Sequence, residues 1–161
     1  MPAEDENRRI AREAFMVFEH KEGSKMVDEK EIATVIRSMG INPSNAQIAE
    51  VQAQLKEGAE DDFNLIPLET FERVIAEFVQ AKRDELARAD YHLLMRAFRA
   101  FDPDKTGWID AEVLKNLLLS KGEVFNGQEA GNMLGCAVDG DSGRIYYEDY
   151  AYVLATDGRK L

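Results

Sequence analysis

The chain of 161 residues is poor in cysteine, histidine, proline and positive charge, and each shortage excludes something. A single cysteine, Cys136, rules out an intrachain disulfide and points to a reducing compartment. The two histidines, His20 and His92, are far apart and suggest neither a zinc site nor a histidine-based catalytic pair. No apolar run approaches the roughly 20 residues that a membrane helix requires. The charged opening Met1-Pro2-Ala3-Glu4-Asp5-Glu6 has no apolar stretch behind it, so no secretory leader is expected. With 20 Lys and Arg against 31 Asp and Glu, the net charge is −11. Nucleic acid and anionic lipid both need a basic footprint, so cations and basic peptides are the expected partners instead. Nucleophile–base pairs, phosphate loops and metal triads are missing as well, and no enzymatic activity is expected. What remains is ordinary globular composition, enough for one domain or two small lobes with modest cores.

The chain repeats itself. Ala14-Phe15-Met16-Val17-Phe18 returns as Ala97-Phe98-Arg99-Ala100-Phe101, an offset of 83. Val27 matches Ile109 and Gly40 matches Gly122 at 82, while Ile66 matches Ile145 and Phe71 matches Tyr150 at 79. One alignment accounts for all of these offsets, with one extra residue in the first loop and three in the second. Each half divides again into two helix–loop–helix units.

Apolar residues spaced near 3.6 mark eight helices. Ile10, Ala14, Phe15 and Phe18 line the first, and Ile32, Val35, Ile36 and Met39 the second, which Gly40 stops. Ser44-x-x-Gln47 and Asn126-x-x-Glu129 are capping boxes opening the third and seventh. The fourth carries Phe71, Val74, Ile75 and Phe78, and the fifth Leu94, Phe98 and Phe101. The sixth carries Val113, Leu114, Leu117 and Leu118, and the eighth Tyr150, Val153 and Leu154. Neither Gly nor Pro occurs from Leu68 to Asp102, which fits one continuous rod through the fourth and fifth helices, or a rod broken at the polar stretch Ala81 to Asp90. The expected organisation is an N-terminal lobe over 1–80, an inter-lobe helix or linker over 81–92 and a C-terminal lobe over 93–161. Cys136, beside Ala137 and Val138, reads as a small buried hydrophobe.

The third loop carries the chemistry. Asp102-x-Asp104-x-Thr106-Gly107-x-Ile109-Asp110 follows the calcium-loop pattern over nine places. Calcium takes six to eight oxygens, which alternate side chains of a tight turn can supply. Asp102, Asp104 and Thr106 would offer side-chain oxygens, Trp108 its carbonyl, and Asp110 a carboxylate directly or through water. Ile109 would pair with Ile145 in a short strand, and Val27 with Ile66. The pattern, set between duplicated helices, is identified as that of the EF-hand superfamily. It implies an all-α, calmodulin-like fold of four hands in two lobes, with short paired loop strands.

The loops depart from a working calcium set. The first, residues 19–31, is one residue long and puts Lys21 and Lys25 where oxygens belong. The second, residues 56–70, opens on Lys56 and has no framework for Asp61 and Asp62. The third has Val113 at the twelfth place, where a glutamate normally gives two oxygens. Glu112 lies about 100° away around the helix, and affinity should weaken to about 0.1–1 mM. In the fourth, residues 138–149, Asp139 and Asp141 sit one place out of phase. Expected, then, is no required cofactor and at most weak calcium at the third hand.

A lobe without metal cannot draw on coordination to open its apolar groove, so a partner helix must hold it. The groove residues are expected to be Phe15, Phe18, Met39, Phe71, Phe78, Phe98, Phe101 and Leu118. The second-half string Gly122-Glu123-x-Phe125-x-x-Gln128-Glu129, Met133-Leu134-x-x-Ala137-x-Asp139 and Ser142-x-x-Ile145-x-Tyr147-x-Asp149-Tyr150 resembles the EF-hand subunits of the nexin–dynein regulatory complex, its eighth subunit. That resemblance implies a non-catalytic structural and regulatory subunit in the axoneme of cilia and flagella, within the cytoskeleton of the cytoplasm. It would clamp amphipathic helices of other subunits on the doublet microtubule assembly and help regulate motility, with no nucleic acid and no membrane as partner. The alternative is a calmodulin-like sensor or motor light chain responding through the third hand.

Overall fold

The computed structural model describes residues 2–57 and 64–156. In the first half, α1 spans Pro2–Val17, and β1 over Met26–Asp28 leads through a 3-10 turn into α2 over Ile32–Ser38. Then come α3 over Asn45–Lys56, β2 over Leu65–Pro67 and α4 over Leu68–Ala81. The second half repeats this with α5 (Tyr91–Arg99), β3 (Ile109–Asp110), α6 (Ala111–Leu118), α7 (Gly127–Ala137), β4 (Arg144–Ile145) and α8 (Tyr147–Thr156). The result is the expected set of four helix–loop–helix hands.

Local chemistry sets the helix ends. Ser44 Oγ accepts from Gln47 N at 3.2 Å while Gln47 Oε1 accepts from Ser44 N at 2.9 Å. Asn126 and Glu129 make the same reciprocal pair at 2.9 Å each. At the end of α2 the chain turns through Gly40 at φ +83°, a conformation that costs an L side chain about 1–2 kcal/mol.

The strands pair as the repeat requires. β1 runs antiparallel to β2 with Val27 opposite Ile66, and β3 antiparallel to β4 with Ile109 opposite Ile145. These four side chains are buried, so each pair of loops is held by its own core.

The chain forms two compact units, residues 1–88 and 89–161. In the first, the Phe15 and Phe71 rings lie 5.2 Å apart, in one cluster with Ile32, Ile36, Val51, Ile75 and Leu86. Arg12 on α1 bridges Glu72 on α4 through two hydrogen bonds of 2.5 and 3.1 Å. In the second unit Phe98 lies 5.9 Å from the Tyr147 ring and 6.2 Å from Tyr150, amid Met95, Ile109, Leu114 and Ile145.

The rod is broken: α4 ends at Ala81 and α5 begins at Tyr91. Asp90 caps α5 by accepting from Leu93 N at 2.8 Å. Residues 82–88, expected in the inter-lobe segment, belong to the first unit because Leu86 is 1% exposed in its core. An apolar side chain in a polar stretch is stabilised by burial more than the stretch is by continuing a helix.

Candidate functional site

The third loop is built around Asp102, which is 6% exposed. Its Oδ1 accepts from Thr106 N and Thr106 Oγ1, both at 2.9 Å. Its Oδ2 accepts from Gly107 N at 2.9 Å and from the Tyr147 hydroxyl at 2.7 Å. Gly107, at φ +82°, makes the turn that aims two successive N–H groups inward. The Tyr147 hydroxyl foremost, then the N–H groups of Thr106 and Gly107, hold the carboxyl down to about 2, against burial that pushes it up. The same bond raises the Tyr147 phenol, with burial adding to it.

The remaining expected ligands divide. Thr106 Oγ1 also lies 3.0 Å from the Trp108 carbonyl, so three oxygens converge there. The Trp108 ring lies 3.9 Å from the Arg144 guanidinium carbon. Asp110 Oδ1 caps α6, accepting from Glu112 N at 2.9 Å and Val113 N at 3.1 Å. Asp104 is exposed. Val113, at the twelfth place, is 50% exposed and offers no oxygen, while Glu112 reaches toward Lys115. Both Asp102 oxygens and Asp110 Oδ1 thus accept internal hydrogen bonds, and the twelfth place supplies no carboxylate of its own. Among the described residues no group of three or more His, Cys, Asp or Glu is arranged to hold a metal.

The first and fourth loops use the same closure. Glu19 accepts from Gly23 N at 3.0 Å and from Lys25 N, and Ser24 Oγ accepts from Met26 N at 3.3 Å. Asp139 Oδ1 accepts from Ser142 N and Ser142 Oγ, both at 2.8 Å, and from Asp141 N at 3.2 Å. Those donors, Ser142 first, hold the Asp139 carboxyl below its ordinary value. Among the described residues, the first, third and fourth loops each fold onto a carboxylate at or beside their first place, and in the third the Tyr147 hydroxyl adds a donor from another hand. Asp61 and Asp62 of the second loop lie outside the described residues.

The expected groove residues are not equally accessible. Phe15, Phe71, Phe78 and Phe98 are buried in the two cores, and Phe18, Met39 and Leu118 are half-buried. Phe101 is 45% exposed. Cys136, expected inside, is exposed: the tight fit of α7 is made by Ala130 instead.

Sequence spacing carries no signal for Tyr147, the first residue of α8, but it carries one for the Arg12–Glu72 pair. Arg12 and Glu72 correspond under the repeat to Met95 and Ala151, so a charged pair stands where the other half is apolar.

An EF-hand domain model matches residues 93–122, the hand built around Asp102. The chain is 47% identical to "Dynein regulatory complex protein 8" of Chlamydomonas reinhardtii, covering 98% of this chain and 97% of that protein. It is 34% identical to the mouse (Mus musculus) protein of the same name, over 91% and 86% of the two chains. Among solved structures, a chain of the Physarum polycephalum myosin II regulatory domain superposes with a TM-score of 0.59 at 26% identity, covering 96% of this chain and 98% of that one.

Proposed function

This chain belongs to the dynein regulatory complex protein 8 family of EF-hand proteins, and from that premise we propose that it is a non-catalytic subunit of that complex in the axoneme of cilia and flagella. It holds helical segments of neighbouring subunits and helps regulate microtubule sliding, and it does so without calcium. The observation that carries the calcium independence is the closure of the third loop. Asp102, the leading acid of the one hand that matches the EF-hand model, is satisfied by Thr106, Gly107 and Tyr147. The loop therefore has its working geometry with no ion needed to organise it.

Recovery of the tagged full-length chain from axonemes, with and without chelator, tests this reading. Equal recovery of regulatory-complex subunits in both conditions is expected. Loss of those subunits in chelator, or recovery of nothing ciliary, would refute it. The convergence of Asp102 Oδ1, Thr106 Oγ1 and the Trp108 carbonyl favours a second reading, weak calcium capture at this loop. Trp108 is the single tryptophan, so its emission reports on that loop. A saturable change at micromolar calcium would replace the first reading with the second, and a flat response through millimolar calcium would remove the second.

A further inference from the structure

In a chain of net charge −11, cations that gather around one recess without a carboxylate partner need an account. A recess of about 590 Å³ opens beside the third loop, lined by Arg99, Asp102, Pro103, Lys105 and Tyr147. Arg99 is the last residue of α5, Lys105 lies three places after Asp102, and both are exposed. Arg12, Lys56 and Lys82 of the first unit each meet a carboxylate. Arg99 and Lys105 have no ion-pair partner among the described residues. The dipole of α5 favours an arginine at its end, but it gives no reason for Lys105, which is on the loop.

The one carboxylate in the wall does not take up these charges. Asp102 turns its two oxygens to Thr106 N, Thr106 Oγ1, Gly107 N and the Tyr147 hydroxyl, and neither Arg99 nor Lys105 is among those donors. Two positive side chains are therefore left to face one carboxylate whose hydrogen bonds are already made. The walls also discriminate among anions. A guanidinium fork pairs bidentately with a carboxylate or a phosphate, and an ammonium adds a mobile second charge. Pro103 brings no polar side-chain atom, so an aliphatic stem can pack beside it while its charged head reaches the cations. A glutamate side chain has that form, and inorganic phosphate has no stem. The volume also leaves room for the glutamate's own backbone.

We propose that this recess is a docking point for an acidic segment of a protein partner, with a glutamate side chain entering it to pair with Arg99 and Lys105. The contact is independent of helix holding, and it runs against the chain's overall charge. At about 0.15 M salt that overall repulsion is screened beyond about 8 Å, so the two local cations decide the outcome.

The test titrates the full-length, nitrogen-15-labelled chain at that salt with a tetraglutamate peptide blocked at both ends. Tetraglutamine and inorganic phosphate are the comparison probes. Saturable amide shifts are expected within residues 99–107 and at Tyr147, with one peptide per chain and none with tetraglutamine. Arg99→Gln and Lys105→Asn should each weaken the peptide by about threefold or more, and together abolish the shifts. Asparagine is chosen because it tolerates the φ of +56° at residue 105. Arg96→Gln removes an exposed cation of the same helix that does not line the recess, and should leave the affinity unchanged. No saturable shift at millimolar tetraglutamate would overturn the proposal, as would equal binding of tetraglutamine. Equal weakening by Arg96→Gln would show diffuse charge in place of a site. Phosphate giving the same shifts at lower concentration would assign the recess to a free anion, and the acidic segment would be ruled out.

Discussion

Tyr147 is the side chain that ties the third loop to the fourth hand, and its loss has a signed pH dependence. The folded Asp102 carboxyl sits at about 2 against an ordinary 3.8. A depressed folded value means that the stabilisation is complete above the unfolded value and is lost as pH falls through about 2. Tyr147→Phe removes the strongest of the four donors, so the folded value moves up toward 3.8. The variant should have a lower urea midpoint for the second unit at pH 7, and the gap from wild type should close as pH falls from about 4 to about 2. Trp108 emission follows that transition, and a gap that persists at pH 2 would mean that Tyr147 acts by packing alone. Asp102 was readable in the sequence because a calcium loop announces its leading acid by short-range spacing. Its tyrosine partner was not, because 45 residues separate the two and no local rule links them.

At the scale of helices, what was legible was what is local. Both capping boxes stand where Ser44-x-x-Gln47 and Asn126-x-x-Glu129 put them, since each involves groups three residues apart. The break between α4 and α5 was legible only as one of two outcomes. Helix propensity in 82–90 is unremarkable, and the decision comes from burying Leu86, a tertiary effect. The α1–α4 contact offers a cleaner case, because the repeat supplies its own control. Arg12 and Glu72 occupy the positions of Met95 and Ala151, both buried in the second unit. Arg12→Ala alone strands the Glu72 carboxylate, 8% exposed, and should lower the first unit's urea midpoint. The double change Arg12→Met with Glu72→Ala, which copies the second unit's solution, should restore the midpoint. A double variant no more stable than Arg12→Ala would show that the ion pair is favourable in its own right.

For the molecule as a whole, duplication set the plan, and the two copies then diverged in how they finish it. Phe15 and Phe71 of the first unit and their counterparts Phe98 and Tyr150 of the second are all buried, but Phe18 is half-buried while its counterpart Phe101 is 45% exposed. Each copy has its own apolar cluster. Phe71→Ala should therefore cost the first unit about 3–5 kcal/mol and leave the unfolding reported by Trp108 in the second unit unchanged. A Trp108 transition that shifts with it would show that the two clusters unfold as one. The turn at residues 82–88 has a mechanical consequence. A pull applied to the chain beyond residue 88 meets the Leu86–Asn42 bond and the Lys82–Glu50 and Gln47–Glu85 pairs before it reaches the last turn of α4. Those fastenings act as a strain relief: a tug must tear the loop-back free before it can begin to unwind the helix.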